Sequence, residues 1–167
     1  GGIVVIKVGG YSDVEKIELK DRVEDAVNSV KSSLIDGIIP GGGTPLLRIG
    51  DRAFKNTDLS RHGNDINKGR LVLLQAIKVP FRQIVDNAGL DVEETEKEIL
   101  KKPKQVVIDV VSESYKNGIN HGIIDPLLVT KTALTNAVSV AGTLLTTGCT
   151  ISYEPENFTN NSKDFNL

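Results

Sequence analysis

Three consecutive glycines, Gly41, Gly42 and Gly43 within GIIPGGGTPLL, constrain this chain more than any other stretch. Each glycine gives up more backbone freedom on folding than another residue would. A run of three is therefore costly unless the backbone must approach something closely or adopt positive φ. The run stands directly before a helix start, with Thr44 suited to the N-cap and Pro45 to the first helical position. Leu46, Leu47, Ala53 and Phe54 supply that helix with an apolar stripe. Two readings fit the residues. Free N–H groups and the positive end of the macrodipole attract an anion such as phosphate, and a tight interhelical turn would also use glycine. The spacing is not the G-x-x-x-x-G-K-[ST] of a P-loop.

Around this landmark the pattern is mainly helical with a few short strands. GGIVVIKVGG reads as an opening strand, with β-branched residues between glycine pairs. Ser12-Asp13-Val14-Glu15 has the form of a capping box, and Val23, Ala26, Val27, Val30 and Leu34 then recur at helical spacing as far as Gly37. A polar loop from Asn56 to Gly63 precedes a third helical pattern running from Leu71 through Phe81 to Ala88, kinked at Pro80 and closed by Gly89. A second capping box at Asp91–Glu94 opens a charged helix that stops before Pro103. QVVIDVV reads as a short strand carrying an aspartate. Asp125-Pro126 repeats the N-cap and N1 arrangement before LLVTKTALTNAVSVAGTLL, an all-round apolar pattern that predicts a buried helix. CTISY reads as a last strand, and an asparagine-rich tail from Glu154 is expected to be disordered.

Bulk properties narrow the function classes. With 167 residues and 39% hydrophobic content the chain can build a core. Its 20 basic and 22 acidic residues are well mixed, without the basic block that tracks a nucleic-acid backbone. No apolar run is read as approaching the roughly 20 residues that span a bilayer, so neither nucleic acid nor membrane is an expected partner. The single cysteine, Cys149, forms no internal disulfide, which fits a reducing compartment. The chain has no methionine, position 1 included, and is expected to be an interior or C-terminal piece of a longer polypeptide.

Several carboxylates are candidates for chemistry. Asp25, in RVEDA, falls opposite the apolar stripe of the first helix, where a solvated side chain is the ordinary outcome. Asp109 interrupts an apolar strand and needs a partner or a cleft. Asp125 has a sufficient structural role as an N-cap. His62, His121 and Cys149 lack companions at metal-ligand spacing, so no metal site is assigned.

The order of these features resembles the group I, 60 kDa chaperonins of bacteria, mitochondria and plastids. The likeness is carried by GGIVVIKVGG, KDRVEDAVNSVKSSLIDGIIPGGGTPLL, PFRQIVDNAG and GIIDPLLVTKTALTNAVSVAGTLLTT, in family order from Gly1 to about Tyr153. The resemblance implies an incomplete helical bundle like the chaperonin equatorial domain, together with part of an α/β intermediate domain. Residues 1–35 would belong to the intermediate domain, 36–153 to the C-terminal half of the equatorial ATPase domain, and 154–167 to a disordered tail.

It further implies an ATP site. Gly41, Gly42 and Gly43 would lie against the nucleotide, Gly42 first among them, with Asp125 as a further contact. Asp25 would be the catalytic aspartate that orients water for in-line attack on the γ-phosphate. Asp109, Val110 and Val111 would stand in the adenine region, where bulky valines replace the family's small residues. The ligand of Mg²⁺ and a second phosphate loop would lie outside these residues, as would the apical domain that meets client proteins and a co-chaperonin. A homo-oligomeric ring, heptameric by family habit, is implied, in bacterial cytoplasm, mitochondrial matrix or plastid. Two rival readings remain. Lys7-Val8-Gly9-Gly10 is like the first phosphate loop of amino-acid kinases, which require a large parallel sheet. A non-enzymatic assembly module, associating through apolar faces, is the other.

Overall fold

A computed structural model describes residues 2–57 and 63–152. They form six helices and four short strands: α1 (Asp13–Asp36), β1 (Ile38–Pro40), α2 (Thr44–Asn56), α3 (Asn64–Ala76), α4 (Val79–Asn87), α5 (Val92–Lys101), β2 (Val106–Asp109), β3 (Ser114–Asn117), β4 (Ile124–Pro126) and α6 (Leu127–Leu145). The chain is mainly helical, as the periodicity predicts. Two compact units are present, Gly1–Leu134 and Thr135–Leu167, their boundary falling inside α6.

The capping chemistry works largely as the residues suggest. Ser12 accepts from the Glu15 N–H at 3.2 Å, while Glu15 Oε2 reaches back to the Tyr11 N–H at 2.7 Å. Asp91 accepts from the Glu94 N–H at 2.8 Å at the start of α5. Gly37, at φ 84, ends α1 and donates to Ser33 O at 2.9 Å. Pro80 breaks the predicted kinked helix outright: α3 stops at Ala76 and α4 begins at Val79, with Pro80 in its first turn where a missing N–H costs nothing.

Leu47, Phe81, Val85, Ile99 and Ile108 form the buried core, with Leu90, Val92, Leu100, Val106, Val110 and Tyr115 packed around it. These residues come from α2, α4, α5 and the β2–β3 hairpin, paired antiparallel from Val106↔Asn117 to Asp109↔Ser114. Arg48 fastens the assembly. Its guanidinium donates to the carbonyls of Ile99 (2.7 Å), Lys102 (3.0 Å), Pro103 (3.1 Å) and Val106 (3.3 Å), so one side chain on α2 covers the open end of α5. Between α4 and α5, Glu96 meets Arg82 at 2.7 Å and Lys78 at 3.4 Å. Burial pushes the Glu96 carboxyl up, but Arg82 and Lys78 outweigh it and hold it below its usual value.

Four expectations need correction. Residues 2–10 form no strand; Ile3, Val4, Val5 and Ile6 are exposed and their backbone has no partner strand. Cys149–Ser152 likewise form none, and Tyr153 lies outside the described residues, as does the tail. The helix α6 has no buried residue, although its composition predicts burial. At 19 residues with mean hydropathy 1.2, α6 is also long and apolar enough by length and composition to cross a membrane, a property it shares with core helices of soluble proteins. Finally, the stripe on α1 is covered only in part: Val23 and Val27 are half-buried while Val30 and Leu34 are exposed. The loop expected from Asn56 to Gly63 lies mostly outside the described residues.

Candidate functional site

The glycine run owes its position to a strand pair that no sequence pattern announces. β1 and β4 pair antiparallel, Ile38↔Pro126, Ile39↔Asp125 and Pro40↔Ile124. The ladder continues at both ends, with Gly41 N–H donating to Ile123 O at 2.8 Å and Leu127 N–H to Gly37 O at 3.1 Å. Both strands are three residues long and carry a proline at one end, too short for a period of two to register. Their pairing sets Asp125 against the segment that enters the glycine turn.

Within the turn the three glycines answer to different demands. A Cβ on Gly41 would press on the Ile123 backbone at 3.2 Å. Gly43 has φ 70 and a Cβ there would stand 2.9 Å from Phe81 N, so close approach of α2 to α4 requires a glycine. Gly42 has φ 67, and nothing lies within 4 Å of where its Cβ would be. The interhelical-turn reading thus accounts for Gly43, and the approach of Ile123 beside β4 accounts for Gly41. Gly42 alone faces open space.

Two sequence expectations about caps are corrected here. The N-cap of α2 is Gly43 in the left-handed region, without a side-chain hydrogen bond, and Thr44 is the first helical residue. The Thr44 side chain is buried and its Oγ1 has no partner among the described residues. Asp125 does not precede α6 as its cap but sits in β4, half-buried. Burial raises its carboxyl above the usual carboxylate range, and the Gly42 N–H beside it offsets part of that rise.

The remaining candidates lie elsewhere. Asp25 is exposed on α1, about 16 Å along the helix axis from Asp36 at ~1.5 Å per residue. Among the described residues no hydrogen bond or ion pair joins its carboxylate to another group, the glycine turn included. Asp109 ends β2 and is fully engaged. Lys116 Nζ lies 2.6 Å away, Ser112 Oγ 2.8 Å and the Val111 N–H 3.1 Å. Lys116 first, then Ser112, hold this carboxyl far below the usual carboxylate range. It closes the hairpin rather than presenting a free acceptor. Val110 packs on the core and Val111 is 92% exposed.

Lys7–Gly10 is irregular, and the described residues contain only two two-stranded antiparallel sheets, not the parallel sheet a kinase-like reading needs. Among the described residues no group of three His, Cys, Asp or Glu side chains is placed to hold a metal, so no step is assigned to Mg²⁺. The glycine corner does suit a nucleotide: it offers an uncapped helix N-terminus, an unpartnered hydroxyl and a half-buried carboxylate. The sequence marks Thr44 only as an N-cap, and nothing local marks Arg48, whose four carbonyl partners lie more than fifty residues away.

Comparison with known proteins agrees with the helical architecture. A solved structure described as a group III chaperonin in the open state superposes with a TM-score of 0.75 at 26% sequence identity, over 86% of this chain. The chain spans 30% of the length of that relative. Residues 1–155 match the family model for the TCP-1/cpn60 chaperonins, and the chain therefore belongs to the TCP-1/cpn60 chaperonin family.

Proposed function

We propose that this chain supplies one wall of the ATP site of a protein-folding chaperonin subunit of the group I kind. The carrying observation is the β1–β4 pairing, which joins the glycine turn to Asp125 across about half of the chain. Gly42, open on one side, lets a ligand approach the backbone at the N-terminus of α2, where an anion is favoured. Asp125 is an acceptor, so it suits a ribose hydroxyl better than a phosphate oxygen.

Asp25 is the catalytic residue in this reading. Its carboxylate has no ion pair among the described residues and stands on an exposed helix that ends at Gly37, directly before β1. A swing of α1 would carry it over the γ-phosphate to orient the attacking water, with the phosphoryl bond to the leaving oxygen breaking as the water oxygen bonds to phosphorus. Residues 1–35 then belong to an intermediate domain and 36–153 to an equatorial domain. Motifs RVEDA and GIIDP favour the group I assignment, and with it a homo-oligomeric ring that serves client proteins and a co-chaperonin in bacterial cytoplasm, mitochondrial matrix or plastid. Engagement of Asp109 by Lys116 argues against Asp109 as a reader of adenine in the state described.

The test uses the full-length subunit that carries this chain. Asp125→Ala is expected to weaken ATP binding about 10-fold or more, the loss of one hydrogen bond to a charged group. Asp25→Ala should leave ATP affinity nearly unchanged and slow single-turnover hydrolysis by about 100-fold or more. Unchanged affinity in the first variant would remove the Gly42–Asp125 corner from the site, and normal hydrolysis in the second would remove Asp25 from catalysis.

A further inference from the structure

Thr44 is 0% exposed, and its buried Oγ1 has no hydrogen-bond partner among the described residues. Leaving a hydroxyl in that state is unfavourable. Other threonines near or within helices avoid it by bonding back to the carbonyl four residues earlier: Thr57 to Ala53 O at 2.6 Å, Thr143 to Ser139 O at 3.0 Å, Thr147 to Thr143 O at 2.8 Å. Thr44 has no such recourse. It is the first residue of α2, and four positions back stands Pro40, in β1. Its partner must come from outside the helix.

The surroundings indicate what that partner is. Helical Cα–Cβ bonds tilt toward the N-terminus, which sets the Thr44 Cβ on the side of Gly42 and Gly43. There α2 has no side-chain cap, Pro45 has no N–H, and the Thr44 N–H makes only a long 3.4 Å bond to Gly41 O. The positive end of the helix therefore coincides with an unpartnered hydroxyl. An acceptor oxygen brought by a ligand satisfies both. Nothing lies within 4 Å of where a Gly42 Cβ would stand, which leaves room beside the turn for that oxygen.

We propose that Thr44 is a ligand-binding residue of the glycine turn, its hydroxyl donating to an oxygen of the bound nucleotide. This rests on the reading of the turn as a nucleotide site and adds a specific side chain to it.

Equilibrium binding of ATP by the full-length subunit tests the idea in wild type, Thr44→Val and Thr44→Ser. Valine keeps the shape and removes the hydroxyl. The expectation is roughly a 3- to 10-fold weaker affinity for Thr44→Val, near-wild-type affinity for Thr44→Ser, and a nucleotide-free melting temperature for Thr44→Val no lower than wild type. Adenosine and inorganic tripolyphosphate, titrated separately, identify the oxygen: loss confined to tripolyphosphate assigns a phosphate oxygen, and loss confined to adenosine a ribose oxygen. Equal ATP affinity of wild type and Thr44→Val overturns the proposal while leaving the nucleotide reading intact. A lowered melting temperature in Thr44→Val with weak binding in both variants also overturns it, by making the role structural. Absence of ATP binding by the wild type defeats the nucleotide reading itself.

Discussion

Gly41, Gly42 and Gly43 are chemically identical and physically distinct. Gly41 lies against the Ile123 backbone, Gly43 must let Phe81 approach to 2.9 Å from where a Cβ would be, and Gly42 needs only its positive φ. Asp109 makes the same point about carboxylates: an acidic side chain in an apolar strand is read as chemistry or as structure according to its partners. Here Lys116, Ser112 and the Val111 N–H take it up. Because its folded pKa is depressed, the stability it contributes is present above the ordinary carboxylate range, roughly pH 4, and is lost as pH falls through its lower folded value. Amide exchange across Val107–Lys116 should therefore quicken in strong acid, and Asp109→Asn should flatten that dependence. Exchange that is insensitive to acid in both proteins would show that the hairpin does not rely on this carboxylate.

At the level of elements, α2 is positioned by what it holds as much as by what it buries. Leu47 enters the core, while Arg48 next to it reaches four carbonyls at the end of α5 and the start of the hairpin. A lysine carries the charge but cannot fork across several acceptors. Arg48→Lys is expected to cost about 1–3 kcal/mol in chemical unfolding of the full-length subunit. A loss below about 0.5 kcal/mol would mean that water replaces these bonds without penalty. Helices were legible in the sequence because their signals are local: both capping boxes, Gly37, Gly89 and the apolar spacing lie within a turn or two of what they specify. Strands were not. β1, β3 and β4 are three or four residues long, and their pairing depends on distant partners, whereas the β-branched run at residues 3–8 has the composition of a strand and finds no neighbour. The site divides in the same way. Positive φ at Gly42 and Gly43 could be expected from the glycine run, but the unpartnered Thr44 hydroxyl and the capture of Asp109 by Lys116 follow from packing alone.

The molecule as a whole leaves much apolar surface uncovered, including Ile3 to Ile6, Val14 and Ile17 on α1, and Val129, Val140, Leu144 and Leu145 on α6. Surface of that kind drives association. Produced alone, the 167-residue chain is expected to show concentration-dependent light scattering, and to give no calorimetric signal for ATP at micromolar concentrations. A clean monomer over a wide concentration range, or micromolar ATP affinity, would contradict these two expectations respectively. The β1–β4 ladder has a consequence for biosynthesis. Ile39 leaves the ribosome early and Asp125 late, and at about 5–20 residues per second several seconds separate them. Until then β1 has no strand to pair with, so a translating polypeptide must extend some 86 residues beyond Ile39 before the glycine turn is fixed in place, however soon the helices in between have formed.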